Sequence, residues 1–249
     1  MDRSMRYLSL VTCLLLATSL NLQASERLTT LRGEAYDLKT DTALYTEHHQ
    51  FEYDDNNTLV AAQVEYRSTD DEIIGRKTLD FRRSLSVPGY ETRLHDGRYI
   101  EGLRYTEDGV EIYRSRDGGE SMDTKTLKLD GLMAADAGFN NLVHARFDQL
   151  IEGDTVKFRF IAPNQQTSVR FKAEHVGERS IEGMPVVDFK IAVASLIGLF
   201  VDPLRLSYDA ETRRLIEYRG LSNVRSADGE LYEVRIRYPA LIRKPETSE

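Results

Sequence analysis

Five histidines, one cysteine and 41 acidic side chains are the groups in this 249-residue chain that could do chemistry, and none sits in a pattern that specifies a reaction. His48 and His49 are neighbours in a run with strand periodicity, so they point to opposite faces and cannot share one metal. His144 falls on the polar side of a predicted helix, and neither it nor His95 nor His175 belongs to a His-Glu-x-x-His motif or comparable ligand spacing. These histidines read as solvated or structural. There is no Gly-x-Ser-x-Gly elbow for a serine nucleophile. Asp117-Gly118-Gly119 has the composition of a turn, not of a phosphate-binding loop that opens a helix. The Asp-rich turns lack the ligand spacing of a calcium loop. No carboxylate pair stands out, and the tryptophan that commonly stacks on sugars is absent from the whole chain. The expectation is therefore a protein that is not an enzyme, with no catalytic residue, no metal site and no cofactor.

The elements that would position any site begin after an address. Arg3 and Arg6 precede an apolar run over 7–17, and small and polar residues lead to Ala24-Ser25-Glu26. Those three parts make a cleavable secretory signal peptide over 1–24, and the apolar run is about half the roughly 20 residues a membrane span needs. Leu10-Val11-Thr12-Cys13 is not a lipid-attachment box, because Thr12 is too bulky and the apolar run continues past the cysteine. Cleavage removes Cys13, so residues 25–249 are expected to form a single periplasmic domain held by burial alone. The formal charge of −8 argues against nucleic acid as partner. No stretch after residue 24 is long and apolar enough to be a transmembrane segment; the longest, 191–201, reads as a buried strand leading into a short helical turn.

Period-two alternation dominates the chain from residue 31 onward. Val156, Phe158 and Phe160 oppose Thr155, Lys157 and Arg159; Tyr232, Val234, Ile236 and Tyr238 oppose Glu233, Arg235 and Arg237. Such runs are antiparallel strands with one dry and one wet face. They fall at 31–37, 42–53, 58–67, 73–82, 88–95, 98–105, 109–115, 121–128, 155–162, 167–177, 184–194, 204–209, 213–222 and 230–238, separated by turn signals such as Asp96-Gly97, Asp108-Gly109 and Asp228-Gly229. Asn56-Asn57-Thr58 is read as a hairpin turn, not a glycosylation site. Residues 136–151 break the pattern: Phe139, Leu142, Val143, Phe147, Leu150 and Ile151 recur at helical spacing, with Asp136 as N-cap and Gly153 as stop.

A dozen strands at about 4.8 Å make a sheet roughly 58 Å wide. A 15-residue helix covers only about 22 Å by 10 Å of it. The expected fold is mostly β: a large curved antiparallel sheet, an open half-barrel, with one central α-helix on the concave face. Its uncovered apolar surface is a place for a ligand. The expected ligand-binding residues are Phe139, Leu142 and Phe147 on the helix and Val156, Phe158, Phe160, Val169 and Phe171 on the strands.

This layout of leader, long sheet and mid-chain helix resembles the half-barrel of periplasmic lipoprotein carriers. Closer in sequence, residues 136–139, 158–163 and the 206–223 hairpin resemble an uncharacterised family of secreted proteobacterial proteins. The resemblance implies a compartment and a fold but no activity. The functional expectation is a periplasmic binding protein for a lipid, an acyl chain or a lipidated protein. The alternatives are a cell-envelope assembly protein with a filled core, and a periplasmic hydrolase with convergent ionisable groups in one cleft.

Overall fold

The computed structural model describes residues 27–194, 202–226 and 228–239. The expected signal peptide, Cys13 and the second half of the 191–201 run lie outside the described residues. Eight strands form first: β1 (Arg27–Asp37), β2 (Ala43–Tyr53), β3 (Leu59–Ser68), β4 (Ile73–Asp80), β5 (Gly89–Leu94), β6 (Tyr99–Tyr105), β7 (Val110–Ser115) and β8 (Asp123–Leu127). A short β9 (Met133–Ala135) leads into helices α1 (Gly138–Ala145) and α2 (Phe147–Ile151). Six more strands complete the chain: β10 (Val156–Ala162), β11 (Thr167–Ile181), β12 (Met184–Val193), β13 (Leu204–Asp209), β14 (Leu215–Arg225) and β15 (Leu231–Arg237).

All fifteen strands lie in one sheet, in the order β8-β7-β6-β5-β4-β3-β2-β1-β15-β14-β13-β12-β11-β10-β9. Each hairpin neighbour is antiparallel, and the short β9 is parallel to β10. First and last strands meet in the middle, where Glu34–Asp37 pairs with Val234–Arg237. β8 and β9 are the free edges, so the sheet does not close into a continuous ladder. It does curl. Met133 of β9 and Ile161 of β10 pack in one cluster with Leu103, Val110 and Ile112 from β6 and β7. A 3-10 turn at Pro163–Gln165 sits against β6 and β7, where the Arg114 guanidinium donates to the Asn164 carbonyl. The shape is a barrel left open along one seam.

Three points differ from expectation. β9 carries no alternation, because Met133, Ala134 and Ala135 are all buried. The single helix over 136–151 is two short ones, since Arg146 (φ −117°, ψ 13°) leaves helical geometry. Beyond that break Phe147 sits edge-on to Phe189 at 5.0 Å and Tyr208 at 5.7 Å. Asp136 is not the cap either: Ala137 holds that position without a side-chain bond. Asp136 adopts φ 44°, and its carboxylate is drawn to the barrel interior.

Candidate functional site

Alternation that buries one face of each strand also buries whatever polar residue falls in phase. In β4 the inward set is Gly75, Lys77 and Leu79; in β2 it is Tyr45, Glu47, His49 and Phe51. Cross-strand pairing then lines these residues up. His49 is opposite Val64, Val64 opposite Lys77, Lys77 opposite Thr92, Thr92 opposite Glu101, and Glu101 opposite Arg114. A row of inward side chains, polar except for Val64, thus crosses the inside of the barrel from β2 to β7, joined by Glu47 two residues before His49 on β2.

Every ionised member of that row that borders the interior has a partner, as a buried charge must. Lys77 Nζ lies 2.9 Å and 2.7 Å from the two oxygens of Asp136, and Asn223 donates to the same carboxylate at 3.0 Å. Burial works against the Lys77 charge, but Asp136 more than offsets it and holds the ammonium above the ordinary lysine value. Glu47 behaves likewise. Burial raises its carboxyl, yet the hydrogen bonds with His49 (3.0 Å) and Tyr238 (2.9 Å) bring it below the ordinary range. Glu101 goes the other way: burial pushes it up, and the Tyr99 hydroxyl at 2.5 Å only partly compensates.

Lys77, Asp136, Glu47 and His49 border a cavity of about 540 Å³ between α1 and the inner face of the sheet. The opposite wall is aromatic. Phe139 stacks on Phe158 at 5.5 Å, and Phe158 on Phe171 at 5.9 Å. Phe160 stands edge-on to Phe139 at 6.3 Å and to Phe171 at 6.1 Å. Leu204, Leu206 and Ile191 extend that wall. The cavity therefore combines an aromatic wall with a polar set, of which Lys77, Asp136 and Glu47 are hydrogen-bonded to one another or to neighbouring side chains. Its size falls within the roughly 300–1,000 Å³ of small-molecule sites.

Of the eight expected ligand-binding residues, Phe139, Phe158, Phe160 and Phe171 line this cavity. Leu142, Phe147 and Val156 do not: they are buried in the packing between the helices and β10–β13. Val169 pairs with Phe160 across the ladder, stays partly exposed and borders no cavity wall. The reason is which side of α1 faces in. Its apolar stripe, Leu142 and Val143, is spent on the sheet, and the stripe of Ala137, Asn140, Asn141 and His144 borders the cavity beside Phe139. Partial burial and the neighbouring Arg213 charge hold His144 below the usual histidine value, so its ring is neutral at pH 7. The interior Lys77, Asp136 and Glu47 were missed. For the two strand residues the signal was phase alone, since Lys77 shares the buried set of β4 with Leu79 and Glu47 that of β2 with Tyr45, while Asp136 sits in a turn with no period.

Among the described residues, no three His, Cys, Asp or Glu side chains converge as a metal site, and no helix is long and apolar enough to cross a membrane. No protein-family model matches the chain, and no curated protein matches it. The kinship to secreted proteobacterial proteins over 136–139, 158–163 and 206–223 thus stays an expectation. Among solved structures, the chain is similar to a β-barrel-like protein of domain of unknown function DUF1849 from Brucella abortus. The identity is 9%, the TM-score 0.48, and the match covers 84% of this chain and 96% of that one. The open-seamed architecture stands on its own strand order.

Proposed function

We propose that this protein is an exported, non-enzymatic binding protein of the cell envelope that holds a lipid, or the acyl chain of a lipidated protein, in the cavity beside α1. The observation that carries this reading is the wall of four mutually packed phenylalanines facing a space of about 540 Å³. Aromatic rings left bordering a void keep apolar surface that a hydrocarbon chain would cover, and removing it from water is favourable. An assembly protein with a filled core would leave no such space. Both carboxylates that border it, Glu47 and Asp136, are engaged by donors on several sides, which counts against carboxylate acid–base chemistry there.

Native mass spectrometry of the protein purified from the periplasm tests the reading. The expected spectrum shows non-covalent adducts in the lipid mass range. They should be lost when Phe160→Trp and Phe171→Trp fill the cavity. Protein that carries no adduct and does not take up a fluorescent fatty acid would overturn it.

A further inference from the structure

Two permanently cationic side chains line the cavity, and they differ in one respect. Lys77 is committed to Asp136. Arg214, which immediately precedes β14, pairs with no carboxylate among the described residues, and its Nε is shielded from solvent with no acceptor. Asp209 is the acid across the same turn, but its Oδ1 accepts from the Glu211 and Thr212 amides and the Thr212 hydroxyl. A second polar donor lines the same cavity. The Asn140 amide oxygen accepts from the Tyr208 hydroxyl at 2.8 Å, which leaves its NH₂ group with no acceptor among the described residues. Buried donors in native proteins are nearly always satisfied. A guanidinium is also the side chain best shaped to grip a carboxylate or phosphate, which offers paired oxygens to its fork of N–H groups.

We propose that Arg214, assisted by Asn140, anchors the anionic head group of an amphiphile whose hydrocarbon chain lies on the Phe139–Phe158–Phe160–Phe171 wall. This rests on the proposed binding function and adds a class of ligand: a single-chain oxyacid, either a carboxylate or a phosphate ester. Of the other charges around the cavity, Lys77 and Asp136 cancel, and the Glu47 carboxylate is turned to its own donors, the Tyr238 hydroxyl and the His49 ring. Asn140 follows Phe139 directly on α1, and both border the cavity.

The test is a calorimetric titration of the full chain with dodecanoate, dodecyl phosphate, 1-dodecanol and dodecyltrimethylammonium. An ionic hydrogen-bonded anchor should make one or both anions bind at least about tenfold more tightly than the alcohol. Arg214→Gln should bring the anions to the alcohol's affinity and leave the alcohol unchanged, which also reports that the variant is folded. Arg214→Lys should restore part of the preference. Preference for dodecanoate alone points to a fatty acid, and for dodecyl phosphate alone to a phospholipid-like head. Wild-type protein that binds the alcohol or the cation as tightly as the anions overturns the anchor but leaves the cavity reading intact. So does an anion preference that survives Arg214→Gln. Failure to bind any of the four overturns both.

Discussion

Asp136 inside the barrel and Asp188 with Glu217 outside it are all sealed carboxylates, yet the chain neutralises them differently. Asp136 meets a single ammonium, Lys77, whose side chain is only 4% exposed. On the outer face, Arg179 spans β12 to β14, touching Asp188 at 2.9 Å, Ser207 at 2.9 Å and Glu217 at 2.9 Å. Arg205 adds a second contact to Asp188 at 3.2 Å, and Arg237 lies 3.0 Å from Glu217. These guanidiniums stay in partial contact with water; Arg179 is 38% exposed. The inner pair is dry and has no substitute, whereas the outer network is wet and redundant. Low dielectric makes the loss of one inner partner severe, while solvent and spare arginines soften the loss of one outer partner.

The sharpest way to break this contrast is Lys77→Met. It leaves Asp136 buried and unpaired, and urea unfolding should show a loss of about 3–5 kcal/mol. Adding Asp136→Asn should recover much of that loss, since the stranded charge goes with it. Arg179→Ala on the outer face should cost only about 1–2 kcal/mol, with a loss that shrinks as salt is raised. If the two single variants lose equally, the distinction between dry and wet clusters is wrong.

A smaller effect separates members of the inner row by pH. Glu101 is raised in the folded state, so folding favours its protonated form. Its contribution is full below the unfolded value of about 4.3 and fades as pH climbs to the raised folded value. Glu101→Gln should remove that loss, leaving the variant more stable than wild type above this window and closer to it below. Glu47 is lowered, so its contribution is present above the unfolded value and lost as pH falls through the folded one; Glu47→Gln should flatten acid unfolding instead. Paired urea midpoints from pH 3 to 8 check both signs. The smallest change belongs to the outer row of like charges, where Lys190, Arg205, Arg219 and Arg235 face one another across successive strands. Lys190→Gln should move stability by no more than about 0.5 kcal/mol.

Strand positions were legible because burial of one face forces a two-residue period, as Val156-Lys157-Phe158-Arg159-Phe160 shows. β9 was not, since three buried residues carry no period. The helix announced itself through Leu142, Val143, Phe147 and Leu150, but not which side would meet the cavity. That choice depends on the sheet curling around α1, so that its polar stripe also faces inward. The aromatic wall was visible, since Phe139 falls on the helix and Phe158, Phe160 and Phe171 sit in clean alternation, but Val156 and Val169 share that phase and yet leave the cavity. Lys77 and Glu47 were hidden by a sound rule, that charges in strands point to water; only partners distant in sequence, Asp136 and Tyr238, reverse it.

The pairing of β1 with β15 has a kinetic corollary. Each hairpin can zip from its own turn, but Glu34–Asp37 finds Val234–Arg237 only after nearly the entire polypeptide has been gathered up. Such distant contacts slow folding far more than they weaken the finished molecule, because the entropy of ring closure grows only with the logarithm of its length. The clasp in the centre of the sheet is therefore the late step of assembly. The Leu38 amide, which donates to the Glu233 carbonyl of β15, will gain protection from hydrogen exchange after the amides of the β2–β3 hairpin.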